Sequence, residues 1–251
     1  VRRAAISVLG SLSEPKDLPM LLDVLVAAQS QSERNEATAS VASVAKKIEQ
    51  QNKSELVIAK YNAVSEEAQK VDLLRALGLI GEETALPTLR AALEDNNAEI
   101  KAAAIRALSD WPDDQPITNL WEIARNAKEP RFKILALRGY INLIEKNRDR
   151  DDAETVKMYQ QALEYATEAN EKRMALSGLG NVRSVDALNV VMSYLDNKDV
   201  KAEAEVAVVR ISGRIRENNP EQAKKALQQV IAQTEIEQTK KSAQSELERI
   251  N

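Results

Sequence analysis

Three arginines stand where they could work together. Arg75, Arg106 and Arg138 each follow a lysine by five residues, Lys70, Lys101 and Lys133. A planar guanidinium is the side chain best shaped to grip a carboxylate through two parallel hydrogen bonds. Asp113 and Asp114, in the segment PDDQ, are an acidic counterpart that could contribute contacts from a loop. Neither set makes a catalytic centre. The chain contains no histidine and no cysteine, which removes imidazole acid–base chemistry, thiolate nucleophiles and the commonest zinc ligands. Two neighbouring loop carboxylates without a positioned partner do not make a general acid and base. No catalytic residue, cofactor or metal site is predicted.

Helical register decides which way the arginines point. At about 100° per residue, Ala104, Ala107, Leu108 and Trp111 fall within roughly 80° of Ile100, whereas Arg106 lies about 120° away from it. The apolar set marks the buried face, so Arg106 points away from the core. Arg75 and Arg138 share its register and extend it into a cationic stripe suited to carboxylate-bearing partners. The competing reading is an ordinary solvated arginine, with Arg106 paired to Asp110 at i+4. The same angles place Trp111 in the core, and Trp121, at i+4 from Ile117, is expected there too.

The elements that carry these residues repeat. A basic residue followed three positions later by a small or apolar one recurs at Arg2, Arg34, Lys70, Lys101, Lys133, Lys172, Lys201 and Lys240, at spacings of 29 to 39 residues that average 34. That is the length of one helix–turn–helix unit. Between the anchored helices lie second amphipathic segments. Leu18, Leu21, Leu22 and Leu25 form one stripe, and Leu86, Leu89 and Leu93 another. The weakest is the segment around residues 53–63, where Leu56, Ile58 and Ala59 are the candidate inward residues. Ser32, Ser65, Asn97, Asn170 and Asp199 stand where helix N-caps are needed, and Pro15, Pro87, Pro116, Pro130 and Pro220 stand in first turns. All seven glycines are placed in the later part of anchored helices, where a missing side chain lets backbones approach. The expected fold class is all-α: an α-α superhelix of about fifteen helices in seven to eight repeats, a rod roughly 60 to 80 Å long.

A helix N-terminus disfavours a positive charge by a few tenths of a kcal/mol, so the anchor lysines need compensation. Lys70, Lys101, Lys133, Lys172 and Lys201 are expected to form a structural ladder between units, with Asp95 pairing to Lys101 and Asp196 to Lys201.

Composition narrows the role. The 43% hydrophobic content supports a core, and 3% aromatics with few Gly or Pro suits helices over sheets. Thirty-five Lys/Arg against 39 Asp/Glu give a net charge of −4, without the basic excess that a phosphate backbone calls for, so nucleic acid is not an expected partner. The last 51 residues carry nine basic and eight acidic side chains, so no basic tail is expected there. No apolar run approaches the roughly 20 residues of a membrane span. The chain opens within a helical pattern, without a starting Met or a cap. The expectation drawn is one array over residues 1–251, part of a longer chain and monomeric.

The anchored segments VRRAAISVLGSL, KVDLLRALGLIG, IKAAAIRALSDW and KRMALSGLGNV resemble the second helix of HEAT repeats. The middle, ALSDWPDDQP followed by FKILALRGYINL, is similar to HEAT modules of large, often exported, multidomain bacterial proteins. The resemblance implies a right-handed superhelix with second helices lining a concave face. It also implies binding of a protein or a neighbouring domain of the same polypeptide, and a periplasmic or envelope location, with cytoplasm the alternative. A non-enzymatic scaffold centred on Arg75, Arg106 and Arg138 therefore leads. The alternatives are a HEAT-like enzyme or lyase-type accessory subunit and a passive spacer between domains. Hydroxylases of this fold resemble paired His-Glu sites, which a chain without histidine does not supply.

Overall fold

The computed structural model describes residues 2–49 and 52–250. Among them all regular structure is helical: α1 (Arg2–Leu12), α2 (Leu18–Val26), α3 (Gln31–Lys46), α4 (Glu55–Ala63), α5 (Glu67–Ile80), α6 (Leu86–Leu93), α7 (Ala98–Ser109), α8 (Ile117–Asn126), α9 (Pro130–Ile144), α10 (Asp152–Tyr165), α11 (Ala169–Leu179), α12 (Val185–Met192), α13 (Lys201–Ile215), α14 (Pro220–Gln233) and α15 (Glu237–Glu248). The odd-numbered helices are the anchored ones, and short 3-10 turns lead into α2 and α6. The chain is an α solenoid. It divides into two compact units, 1–139 and 140–251, the division falling within α9.

In the first unit α1 packs on α3, α3 on α5 and α5 on α7, while α2, α4 and α6 each pack on the anchored helix that follows. The second unit repeats the scheme, with α11 on α13 and α13 on α15, flanked by α10, α12 and α14. The residue three after each anchor is the floor of this layer. Ala37, Leu73, Ala104, Ala136, Ala175, Ala204 and Ala243 are all buried. Only α1 breaks the rule: Ala5 is exposed, as are Val8 and Leu12 on the same side. Trp111, 1% exposed, fills the core of the first unit and Tyr159 that of the second. In α4 the buried residue is Val57, whereas Leu56 and Ala59 face solvent. That helix has almost no amphipathic contrast for a pattern to reveal, and the expected register was wrong there.

The anchored layer is tight because of its small residues. A methyl group at Gly78 of α5 would sit 2.6 Å from the Cα of Ala107 in α7 and 2.7 Å from its carbonyl oxygen. Two backbones meet at that point, and only glycine on one side permits it. Gly81 and Gly180, also expected inside helices, instead follow them. Gly81 closes α5 in the left-handed conformation at φ 67°, the ordinary stop for a helix.

Capping was read correctly at Asn97, whose Oδ1 accepts from the backbone N–H of Glu99 and Ile100. Elsewhere the expected caps shift. Ser30 rather than Ser32 caps α3, Glu66 rather than Ser65 precedes α5, Glu168 rather than Asn170 precedes α11, and Val200 rather than Asp199 precedes α13. A cap needs extended backbone as well as a short polar side chain. Ser30 has it, at φ −109° and ψ 154°, and Ser32 is already helical.

One cap comes from outside its own repeat. Glu82, in the turn after α5, accepts from the backbone N–H groups of Asn52, Lys53 and Ser54 at 2.9, 2.9 and 2.7 Å, and from Thr84 Oγ1 at 2.8 Å. These amides lead into α4, and Asn52 holds φ 88° as it presents them. Partial burial opposes the charge, but the four donors together hold the carboxyl below its usual range.

Two measurements follow from this packing. Gly78→Ala is expected to lower stability by about 1–3 kcal/mol through overpacking, although alanine is the better helix former by ~1 kcal/mol. A urea midpoint that stays put or rises would show that α5 and α7 part without cost. Glu82→Gln is expected to cost about 1–3 kcal/mol at neutral pH. Because the folded-state pKa is lowered, this contribution is present above the unfolded value of about 4.3 and is lost as pH falls through the folded value. Unfolding curves of wild type and variant should therefore converge in acid, and a gap that persisted there would contradict the assignment.

Candidate interaction surface

The exposed side of α3, α5 and α7 encloses a groove of about 450 Å³ lined by Arg34, Asp72, Arg75, Glu99, Arg106 and Asp110 among others. It is built from the register of the anchored helices: Leu73, Leu74 and Leu77 point α5 inward and leave Arg75 outside. Ala104, Ala107 and Leu108 do the same for α7 and Arg106.

Two of the expected arginines therefore share one groove, but not as a uniform cationic stripe. Arg75 donates through Nη1 to Asn35 Oδ1 on α3. Arg106 is exposed and has no side-chain partner among the described residues, so the expected pairing with Asp110 does not form. Arg138, in α9, is half-buried and already engaged. Acids line the same groove, which makes its charge mixed.

Asp72 is the residue the sequence reading missed. It is 4% exposed, and Arg34 Nε lies 3.5 Å from its Oδ2. Burial pushes its carboxyl up, while Arg34 and Arg75 pull it down. Its only sequence signal was its place three residues before Arg75, one turn away on the same helix.

Asp113 and Asp114 are half-buried rather than freely exposed. Asp113 Oδ1 accepts from the Gln115 N–H at 2.9 Å, and the Asp114 carbonyl accepts from the Ile117 N–H at 3.0 Å. They shape the entry to α8. Trp121 is half-buried too, with the Arg125 guanidinium 5.8 Å from its ring centroid, so the expectation of a core residue holds for Trp111 alone.

The five ladder lysines differ from one another. Lys70 Nζ lies 5.5 Å from the ring centroid of Tyr61 and Lys101 Nζ 5.7 Å from that of Phe132, where ring faces offset the charge. Lys201 Nζ donates to the Gln233 carbonyl at 3.0 Å and lies 3.8 Å from Glu205. Lys133 and Lys172 have no side-chain partner among the described residues. Neither Asp95 nor Asp196 pairs with its expected lysine; Asp95 Oδ1 accepts instead from the Asn97 N–H, a turn contact that outcompetes a long side chain. Links between repeats run through other groups. Arg2 pairs with Glu33 at 3.3 Å, Arg131 with Glu99 at 2.8 Å, and Arg173 Nη2 donates to the Asp199 carbonyl at 2.7 Å.

No curated protein sequence matches the chain. Among solved structures, an engineered protein aligns at 20% identity over 93% of this chain and 96% of its own, with a TM-score of 0.40. Human deoxyhypusine hydroxylase in complex with glycerol aligns at 16% identity over 96% and 98%, with a TM-score of 0.39. A computationally designed self-assembling cyclic homooligomer aligns at 17% identity over 99% and 82%, with a TM-score of 0.18. Residues 63–140, which span α5 to α8 and most of α9, match the sequence model of the HEAT repeats. Arg75 and Arg106 lie within this matched segment, whereas the α3 wall of their groove lies outside it.

Proposed function

We propose that this protein is a non-enzymatic interaction scaffold, and that the anchored-helix face of its first unit, centred on Arg75 and Arg106 and extended by Arg138, holds a protein or a neighbouring domain. The observation that carries the reading is Arg106: an exposed guanidinium in a preformed groove, without an internal partner among the described residues. Holding that side chain out of internal ion pairs leaves both edges of its fork for a carboxylate. Glu99, exposed in the groove with one oxygen on Arg131, would favour a partner that also carries a positive charge, which gives the groove a preference for one orientation. Asp113 and Asp114 border the following turn, and Asp113, whose Oδ1 is held by the Gln115 N–H, can add a contact through its other oxygen.

A scaffold uses chemistry that this chain has in abundance and needs none that it lacks. Histidine and cysteine are absent, and a net charge of −4 supports a protein partner over nucleic acid. Among the described residues no helix is long and apolar enough to cross a membrane.

Crosslinking from a photoreactive residue at position 68, an exposed alanine on the groove wall, tests the assignment in lysate of the source organism. The expected result is a discrete adduct that is lost in Arg106→Glu, with thermal unfolding unchanged because Arg106 contributes no internal contact. An adduct formed equally by both proteins would remove Arg106 from recognition and favour a passive spacer.

A further inference from the structure

One groove of the second unit is more one-sidedly charged than the Arg106 groove of the first. Between α13 and α15 lies a groove of about 660 Å³ in which five cations, Arg210, Arg214, Arg216, Lys241 and Arg249, face a single carboxylate, Glu246. That carboxylate is already spent: Arg216 Nη1 reaches its Oε2 at 2.9 Å, and Arg249 Nη1 binds its Oε1. Arg216 is further fixed by the Gly213 carbonyl at 2.8 Å. A methyl group at Gly213 would lie 2.8 Å from Glu246 Oε2, so the glycine is what lets this pair settle against α13. The remaining three, Arg210, Arg214 and Lys241, are exposed and have no side-chain partner among the described residues. Like charges one helical turn apart repel, and no ion pair among the described residues offsets Arg210 or Arg214.

We propose that the groove between α13 and α15 binds an acidic peptide in extended conformation, its carboxylates held by Arg210, Arg214 and Lys241. The spacing fits. Side chains one helical turn apart are separated by about 6 Å, and alternate residues of an extended chain by about 7 Å. An acid at every second position would therefore meet Arg210 and Arg214 together. Ser242 and Ser245 line the opposite wall and offer hydroxyls to a peptide backbone. A nucleic acid would want aromatic rings for its bases, and none lines the groove. A membrane would want apolar side chains to insert, and Val209 is the only large one there. This site is independent of the Arg106 surface on the first unit.

The test uses the whole chain and a fluorescein-labelled peptide of alternating Glu and Ser, followed by fluorescence anisotropy. Wild type is expected to bind at low salt and to weaken as salt rises. Combined Arg210→Glu, Arg214→Glu and Lys241→Glu substitution is expected to weaken binding at least about tenfold, with helical content by circular dichroism unchanged. The neutral pair Arg210→Gln and Arg214→Gln, which adds no new repulsion, should move affinity in the same direction, and Lys198→Glu, at an exposed lysine outside the groove, should bind as wild type does. The proposal fails if wild type does not bind the peptide, if the neutral pair binds it undiminished, or if Lys198→Glu loses it. It also fails if single-stranded oligothymidine or phosphatidylserine vesicles displace the peptide more effectively than unlabelled peptide does.

Discussion

The structure depends on backbone approaching backbone between successive anchored helices. A pair of helices of 8 to 16 residues has too little interior to bury its own apolar stripes, so each pair must borrow a face from its neighbour. That loan is possible only where the layer is thin. Alanine at the third position after every anchor but Lys70, and Gly78 against Ala107, keep it so. Large residues then gather between the layers, with Leu73, Leu77, Leu108 and Trp111 in the first unit and Tyr159, Leu188 and Leu227 in the second. Once the faces are committed to this double layer, the outward positions of the anchored helices are free of packing duty.

Charge is distributed according to the same division of labour. Most cations near the start of anchored helices, Lys133 and Lys172 excepted, are occupied with holding helices together, through Glu33, Asp72, ring faces or backbone carbonyls. Each such link is worth little alone at a solvated surface, but their recurrence along the layer fixes how one helix lies on the next. Cations further along, Arg106 in the first unit and Arg210 and Arg214 in the second, are left over.

Much of the fold was legible because it rests on periodicity. The 34-residue average spacing and the i, i+3, i+7 apolar stripes survive any local irregularity, and the outward direction of Arg106 followed from counting angles alone. What escaped was set by choice among near-equal local options or by distance along the chain. Ser30 and Ser32 are the same residue type two positions apart, and backbone angles decide between them. Leu56 looks like core and Val57 is core, because α4 lacks the contrast that fixes a register. Asp95 had a turn amide closer to hand than Lys101. The cationic groove of the second unit was hidden by averaging: nine basic and eight acidic residues in the last 51 cancel on paper, yet five of the nine line one side of α13 and α15 with a single acid among them. A helical wheel of Arg210 with Arg214, and of Lys241 with Arg249, would have brought it out.

The carboxylate of Glu82 bears on how such a chain is assembled over evolutionary time. Repeat arrays lengthen and shorten by gaining or losing whole units, which presumes that each unit is self-sufficient at its edges. Here the turn that closes one anchored helix also supplies the acceptor for three amides at the start of the helix two elements earlier, across 28 to 30 residues of chain. A duplication or deletion whose boundary fell between residues 54 and 82 would leave those amides facing a stranger. The viable breakpoints lie elsewhere, and the natural module of this region is the two-helix block of α4 and α5, running from the approach to α4 through the turn that leads to α6.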